Sequence, residues 1–90
     1  MEIILKAASA GTMESSDAYV EVEPGSGGLE IQVESVVAQQ FGEAIEAAVM
    51  DVLREQQVEN AVVRVVDRGA LDCVLRARVE AALLRAKEAQ

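Results

Sequence analysis

The stretch Ala18-Tyr19-Val20-Glu21-Val22-Glu23-Pro24-Gly25-Ser26-Gly27-Gly28-Leu29-Glu30-Ile31-Gln32-Val33-Glu34 contains two runs of clean alternation. Ala18, Val20 and Val22 share one face of the first run, with Tyr19, Glu21 and Glu23 on the other. Leu29, Ile31 and Val33 oppose Glu30, Gln32 and Glu34 in the same way in the second. A period of two marks a strand with one buried face. The residues from Pro24 to Gly28 include three glycines, which adopt positive φ at little cost. Together these features predict an antiparallel hairpin with its apolar face covered.

Outward from this pair, the chain supplies the cover. Upstream, Glu2 to Lys6 reads as an edge strand or an arm on the core. Ala7 to Met13 is rich in small residues and can pair with Ala18 to Glu23, which makes Glu14 to Asp17 a tight turn, since Ser and Asp side chains bond nearby backbone amides. Downstream, Ser35 is a candidate N-cap for a helix running to about Gln57. Its stripe is Val37, Phe41, Ala44, Ile45, Ala48, Val52 and Leu53 at three- and four-residue spacing. Ala61 to Val66 is β-branched enough to be a strand, interrupted by Arg64. After Asp67, which can cap, a second helix covers roughly Ala70 to Ala89, with a stripe from Leu71, Val74, Leu75, Val79, Ala82, Leu83 and Ala86. The sequence thus predicts an α+β fold over residues 1–90 as a single domain, in which a small antiparallel sheet of three to four strands carries two helices on one face.

Composition excludes several functions. A net charge of -8 disfavours nucleic acid, whose affinity comes from clustered Lys and Arg. The charge is uneven: residues 1–60 hold twelve acids against Lys6 and Arg54, whereas residues 61–90 hold six bases against four acids, so the C-terminal third is where an anion is expected. Arg64, Arg68, Arg76 and Arg78 are the candidates for a phosphate or an acidic partner. The chain has no histidine, which removes Ser-His and Cys-His nucleophile pairs and imidazole metal ligands; no catalytic or metal residue is predicted. Glu14 and Asp17 read as solvated turn acids, and Cys73 as a packed structural thiol that is the only cysteine. No apolar run reaches the roughly 20 residues of a bilayer span, and the N-terminus lacks a signal-peptide pattern, so the expectation is a cytoplasmic protein without a membrane partner.

Three segments then stand out in order: Gly11-Thr12-Met13-Glu14-Ser15-Ser16-Asp17, Phe41-Gly42, and Asp67-Arg68-Gly69-Ala70-Leu71-Asp72-Cys73-Val74-Leu75-Arg76-Ala77-Arg78. Along nearly the whole chain these resemble the citrate lyase acyl carrier proteins, the gamma subunits of that complex. Met13 stands for the usual leucine, Arg68 for lysine, and Ser16 where many relatives have glycine. The resemblance implies that Ser15, directly after the motif glutamate, is the covalent attachment point of phosphoribosyl-dephospho-coenzyme A, 2'-(5''-phosphoribosyl)-3'-dephospho-CoA, through a phosphodiester; Ser16 is the less favoured second hydroxyl. It also implies a non-catalytic carrier that passes acetyl and citryl thioesters between an alpha (acyl transferase) and a beta (lyase) subunit, after loading by a prosthetic-group transferase. The alternatives are a malonate decarboxylase-type carrier, disfavoured by Ala70-Leu71-Asp72-Cys73, and a small interaction or regulatory domain.

Overall fold

A computed structural model describes residues 3–35 and 38–87, with only the backbone of residues 38–41. The elements are β1 (Ala8–Gly11), β2 (Ala18–Pro24), β3 (Leu29–Ser35), α1 (Ala38–Glu55), β4 (Ala61–Asp67) and α2 (Asp72–Lys87). They form an α+β domain in which a four-stranded open sheet has the order β1-β2-β4-β3. Among the described residues no helix is long and apolar enough to cross a membrane.

The two alternating runs are strands, but they do not form a hairpin. β4 lies between them, antiparallel to β2 (Val20 opposite Val65, Pro24 opposite Ala61) and parallel to β3 (Leu29 opposite Ala61, Val33 opposite Val65). The sheet is therefore mixed rather than antiparallel, and Gly25 to Gly28 spans two strand spacings, about 10 Å, instead of one. The crossing is close. A Cβ on Gly25 would lie 2.6 Å from the Ala61 nitrogen, so a glycine is required where the connection passes over the start of β4. The bridge is tied by the Ala61 amide donating to the Gly28 carbonyl (3.1 Å) and the Gly28 amide donating to Asn60 Oδ1 (2.8 Å).

Burial follows the pairing. Val20, Val22, Val63 and Val65 are fully enclosed beneath α2, which crosses β1 and β2, and α1, which lies over β3 and against α2. On the edge strand β3, Ile31 and Val33 are half-buried and pack against this core, while Glu30 and Gln32 are exposed. Glu21 and Glu23 are half-buried on the open face, where Arg64 bonds Glu23 at 2.8 Å. α1 buries Ile45, Ala48, Val49, Val52 and Leu53; Ala44, expected inside, is exposed. Val37 and the Phe41 side chain lie outside the described residues. Ser35 ends β3, with its hydroxyl donating to Asp67 Oδ2 at 2.8 Å, and the residues where it was expected to cap α1 lie outside the description. The N-terminal segment is an arm rather than a strand: Ile4 is buried, and the Leu5 and Lys6 amides donate to the Ala86 carbonyl (3.0 and 3.2 Å), satisfying an orphan acceptor at the end of α2.

α2 begins at Asp72, later than the sequence predicts, and buries Leu75, Val79, Ala82, Leu83 and Ala86. Cys73 precedes Leu75 by two positions, about 200° around the helix, and is exposed rather than packed. Leu71 precedes the helix and is 70% exposed.

Candidate functional site

Ser15 lies in a turn closed by the Asp17 amide donating to the Glu14 carbonyl at 3.1 Å. Ser15 and Ser16 are its central residues, both exposed, and Ser16 has φ of 68°, the sign that the third position of a type II turn demands. That position suits glycine, in keeping with what the resemblance implies for the place of Ser16. Ser16→Gly is expected to raise stability by about 0.5–1 kcal/mol without disturbing Ser15, measured as a higher thermal midpoint.

The turn is fixed from below by Asp17. Its carboxylate accepts the Thr12 hydroxyl (2.7 Å), the Ala18 amide (2.7 Å) and a forked pair from Arg78, Nε and Nη2 each at 2.9 Å. Thr12 Oγ1 in turn accepts the Glu14 amide at 3.2 Å. Arg78 bonding, the Thr12 hydroxyl and the Ala18 amide, in that order, hold the Asp17 carboxyl well below the usual carboxylate range, and the same pairing raises Arg78. A second clamp is backbone only: the Ser16 amide donates to the Arg68 carbonyl (2.8 Å) and the Arg68 amide to the Asp17 carbonyl (2.9 Å). Asp67, buried, accepts the Ala70 amide at 3.0 Å and so fixes the turn that carries Arg68.

Asp17 is thus a structural anchor, half-buried and fully bonded, rather than the solvated turn acid that the sequence predicts; Glu14 is exposed. Three of the four arginines named as candidates for an anion are already paired with carboxylates of the chain itself. Arg64 is tied to Glu23 on the sheet, Arg76 to Asp72 (2.6 Å) and Asp51 (3.2 Å), and Arg78 to Asp17. The Asp17–Arg78 pair escaped the sequence reading because its members are 61 positions apart; the available signal was that each closes one of the three segments. Because Asp17 titrates lower in the folded chain than in the unfolded one, where an aspartate titrates near about 3.9, its contribution is complete above that value. It drains as pH falls toward the depressed folded value. The thermal midpoint should therefore decline below about pH 4 in the wild type and less steeply in Asp17→Asn, whose midpoint is already lower at neutral pH.

Ser15 itself is left free by these clamps: among the described residues its hydroxyl has no hydrogen-bond partner. A serine-linked group fits here, since the hydroxyl stands on an exposed tip with no wall around it to displace.

The chain resembles known proteins along most of its length. The family described as malonate decarboxylase delta subunit (MdcD), an ACP family, matches residues 5–86. The citrate lyase acyl carrier protein of Vibrio cholerae serotype O1 (strain M66-2) is 52% identical over 84 residues, covering 92% of this chain and 86% of its own. Citrate lyase acyl carrier protein 2 of Salmonella typhimurium is 54% identical over 86 residues, covering 94% and 89%. Among solved structures, a Pseudomonas malonate decarboxylase hetero-tetramer in complex with malonate contains a chain that superposes with a TM-score of 0.80 at 26% identity, covering 94% of this chain and 88% of that one. At such identity and coverage, with matching architecture, the chain belongs to the citrate lyase acyl carrier protein family.

Proposed function

We propose that the chain is the acyl carrier subunit of a cytoplasmic citrate lyase complex, and that Ser15 carries phosphoribosyl-dephospho-coenzyme A through a phosphodiester. One observation supports this above the others: Ser15 presents an exposed, unbonded hydroxyl on a turn whose two following residues are clamped to Arg68, just after β4, and to α2. The bound group supplies a terminal thiol on which acyl thioesters form. The chain supplies the rest of what a carrier needs, a rigid base and a projecting attachment atom, and leaves the chemistry to its partners. With no histidine, it holds no Ser-His base to activate Ser15, so activation falls to the transferase. An alpha subunit exchanging acetyl for citryl and a beta subunit releasing oxaloacetate then meet a tethered acyl group at raised local concentration, with acetate as the other net product of citrate cleavage.

A malonate decarboxylase-type carrier is the second reading, favoured by the superposition on that complex; the higher identity to citrate lyase carriers places it second. The test is intact mass after co-expression with the prosthetic-group transferase, followed by peptide mapping of residues 12–20. One adduct on Ser15 is expected. An unmodified mass would overturn the carrier reading in favour of an interaction domain.

A further inference from the structure

Among the arginines of residues 61–87, four have engaged guanidinium groups: Arg64, Arg76 and Arg78 on carboxylates, and Arg85 through Nη1 on the Ser9 carbonyl at 2.7 Å. Arg68 differs. It is exposed, and among the described residues its guanidinium has no hydrogen-bond or ion-pair partner. Its main chain nevertheless bonds on both sides to the Ser15 turn, through Ser16 and Asp17. An arginine with an unengaged guanidinium is thus tethered next to the Ser15 turn by backbone bonds that do not depend on its side chain.

The geometry points to Arg68 as the residue that binds the phosphodiester at the root of the arm on Ser15, an inference that rests on Ser15 being the attachment site. Such a phosphate carries one negative charge on two non-bridging oxygens, matched by two parallel N–H groups of a guanidinium. It would sit next to Glu14 in a chain of net charge -8, so an anion there needs a local cation, and Asp17 already occupies Arg78. The adjoining cleft of about 130 Å³ is lined by Glu34, Ser35, Val66, Asp67 and Arg68; its carboxylates repel the phosphate, which is held at the Arg68 rim. The contact sets the direction in which the arm leaves the domain.

The test uses full-length loaded carrier whose adduct has first been mapped to Ser15, and reads the ³¹P resonance of the serine phosphodiester against the arm's own pyrophosphate. In the wild type the phosphodiester resonance is expected to move with added salt. In Arg68→Gln it should shift, narrow and lose that dependence, while Arg68→Lys keeps the salt response but not the wild-type position, because it keeps the charge and loses the fork. All three should melt alike, since the backbone clamp is retained. Coincident phosphodiester resonances in wild type and Arg68→Gln at low salt would overturn the assignment, as would Arg68→Lys matching the wild type if Arg68→Gln cannot be loaded. An adduct mapped to another residue would instead remove the Ser15 reading, and this is seen before any spectrum is taken.

Discussion

Ser15→Ala is expected to fold as the wild type does, to show no mass increase with the transferase, and to give a complex that cleaves no citrate. The Ser15 side chain is exposed and makes no hydrogen bond among the described residues, so its removal falls in the class of surface changes worth within about 0.5 kcal/mol. Everything lost is then the attachment atom. Ser16→Ala should retain both loading and cleavage, because Ser16 is held by its amide on the Arg68 carbonyl and by its backbone angle, neither of which needs the hydroxyl. The pair of variants separates the hydroxyls of two neighbouring exposed residues. An adduct that persists in Ser15→Ala would transfer the role to Ser16.

Gly11→Ala is expected to cause the largest loss of stability among single substitutions near the site. Gly11 has φ of 95°, and a Cβ there would fall 1.9 Å from the Ala18 carbonyl oxygen and 3.1 Å from Arg78 Cδ. The first neighbour is backbone of the paired strand, in a stretch where the Thr12 amide donates to that same carbonyl at 3.2 Å, so neither can give way cheaply. A cost of about 3 kcal/mol follows from an unfavourable φ combined with displaced strand pairing. For a domain of this size that lowers the thermal midpoint by about 12–24 °C. Gly27→Ala is the control, since nothing lies within 4 Å of its Cβ position and its φ is not positive; it should melt with the wild type. If Gly11→Ala did the same, the β1–β2 contact would have to be looser than the register from Ala8–Val22 to Gly11–Tyr19 indicates.

What the sequence made legible and what it concealed both have physical reasons. Period-two runs at Ala18–Glu23 and Leu29–Glu34 locate strands because one face of each is covered. They do not identify neighbours, and a short glycine-rich connection looks the same whether it turns between adjacent strands or steps over a third. The discriminating signal was in β4, where Val62, Val63, Val65 and Val66 put apolar side chains on both faces, as suits a strand paired on both sides. At the site, Ser15 was singled out only through the family resemblance, and what the structure adds is its exposed place in a turn. Asp17 was not legible, because its environment is created by Arg78 from the far end of the chain and local composition around it resembles an ordinary solvated turn. Cys73 was misplaced by a different route: adjacency in sequence to Val74 and Leu75 suggests packing, but a residue two positions before the buried Leu75 lies about 200° around the helix, away from the core.

β4 is the last strand in the chain and an inner one in the sheet, with seven paired residues on each side. During synthesis, β2 and β3 therefore emerge before the strand that joins them exists, and their pairing waits on contacts distant in sequence, which form slowly. The Ser15 turn waits longer still, since one clamp comes from Arg68 and the other from Arg78. A ribosome-bound fragment that stops short of these residues displays Ser15 on an unshaped segment. On the proposed role of Ser15, the topology thus withholds a shaped attachment turn from a loading enzyme until α2 has been made.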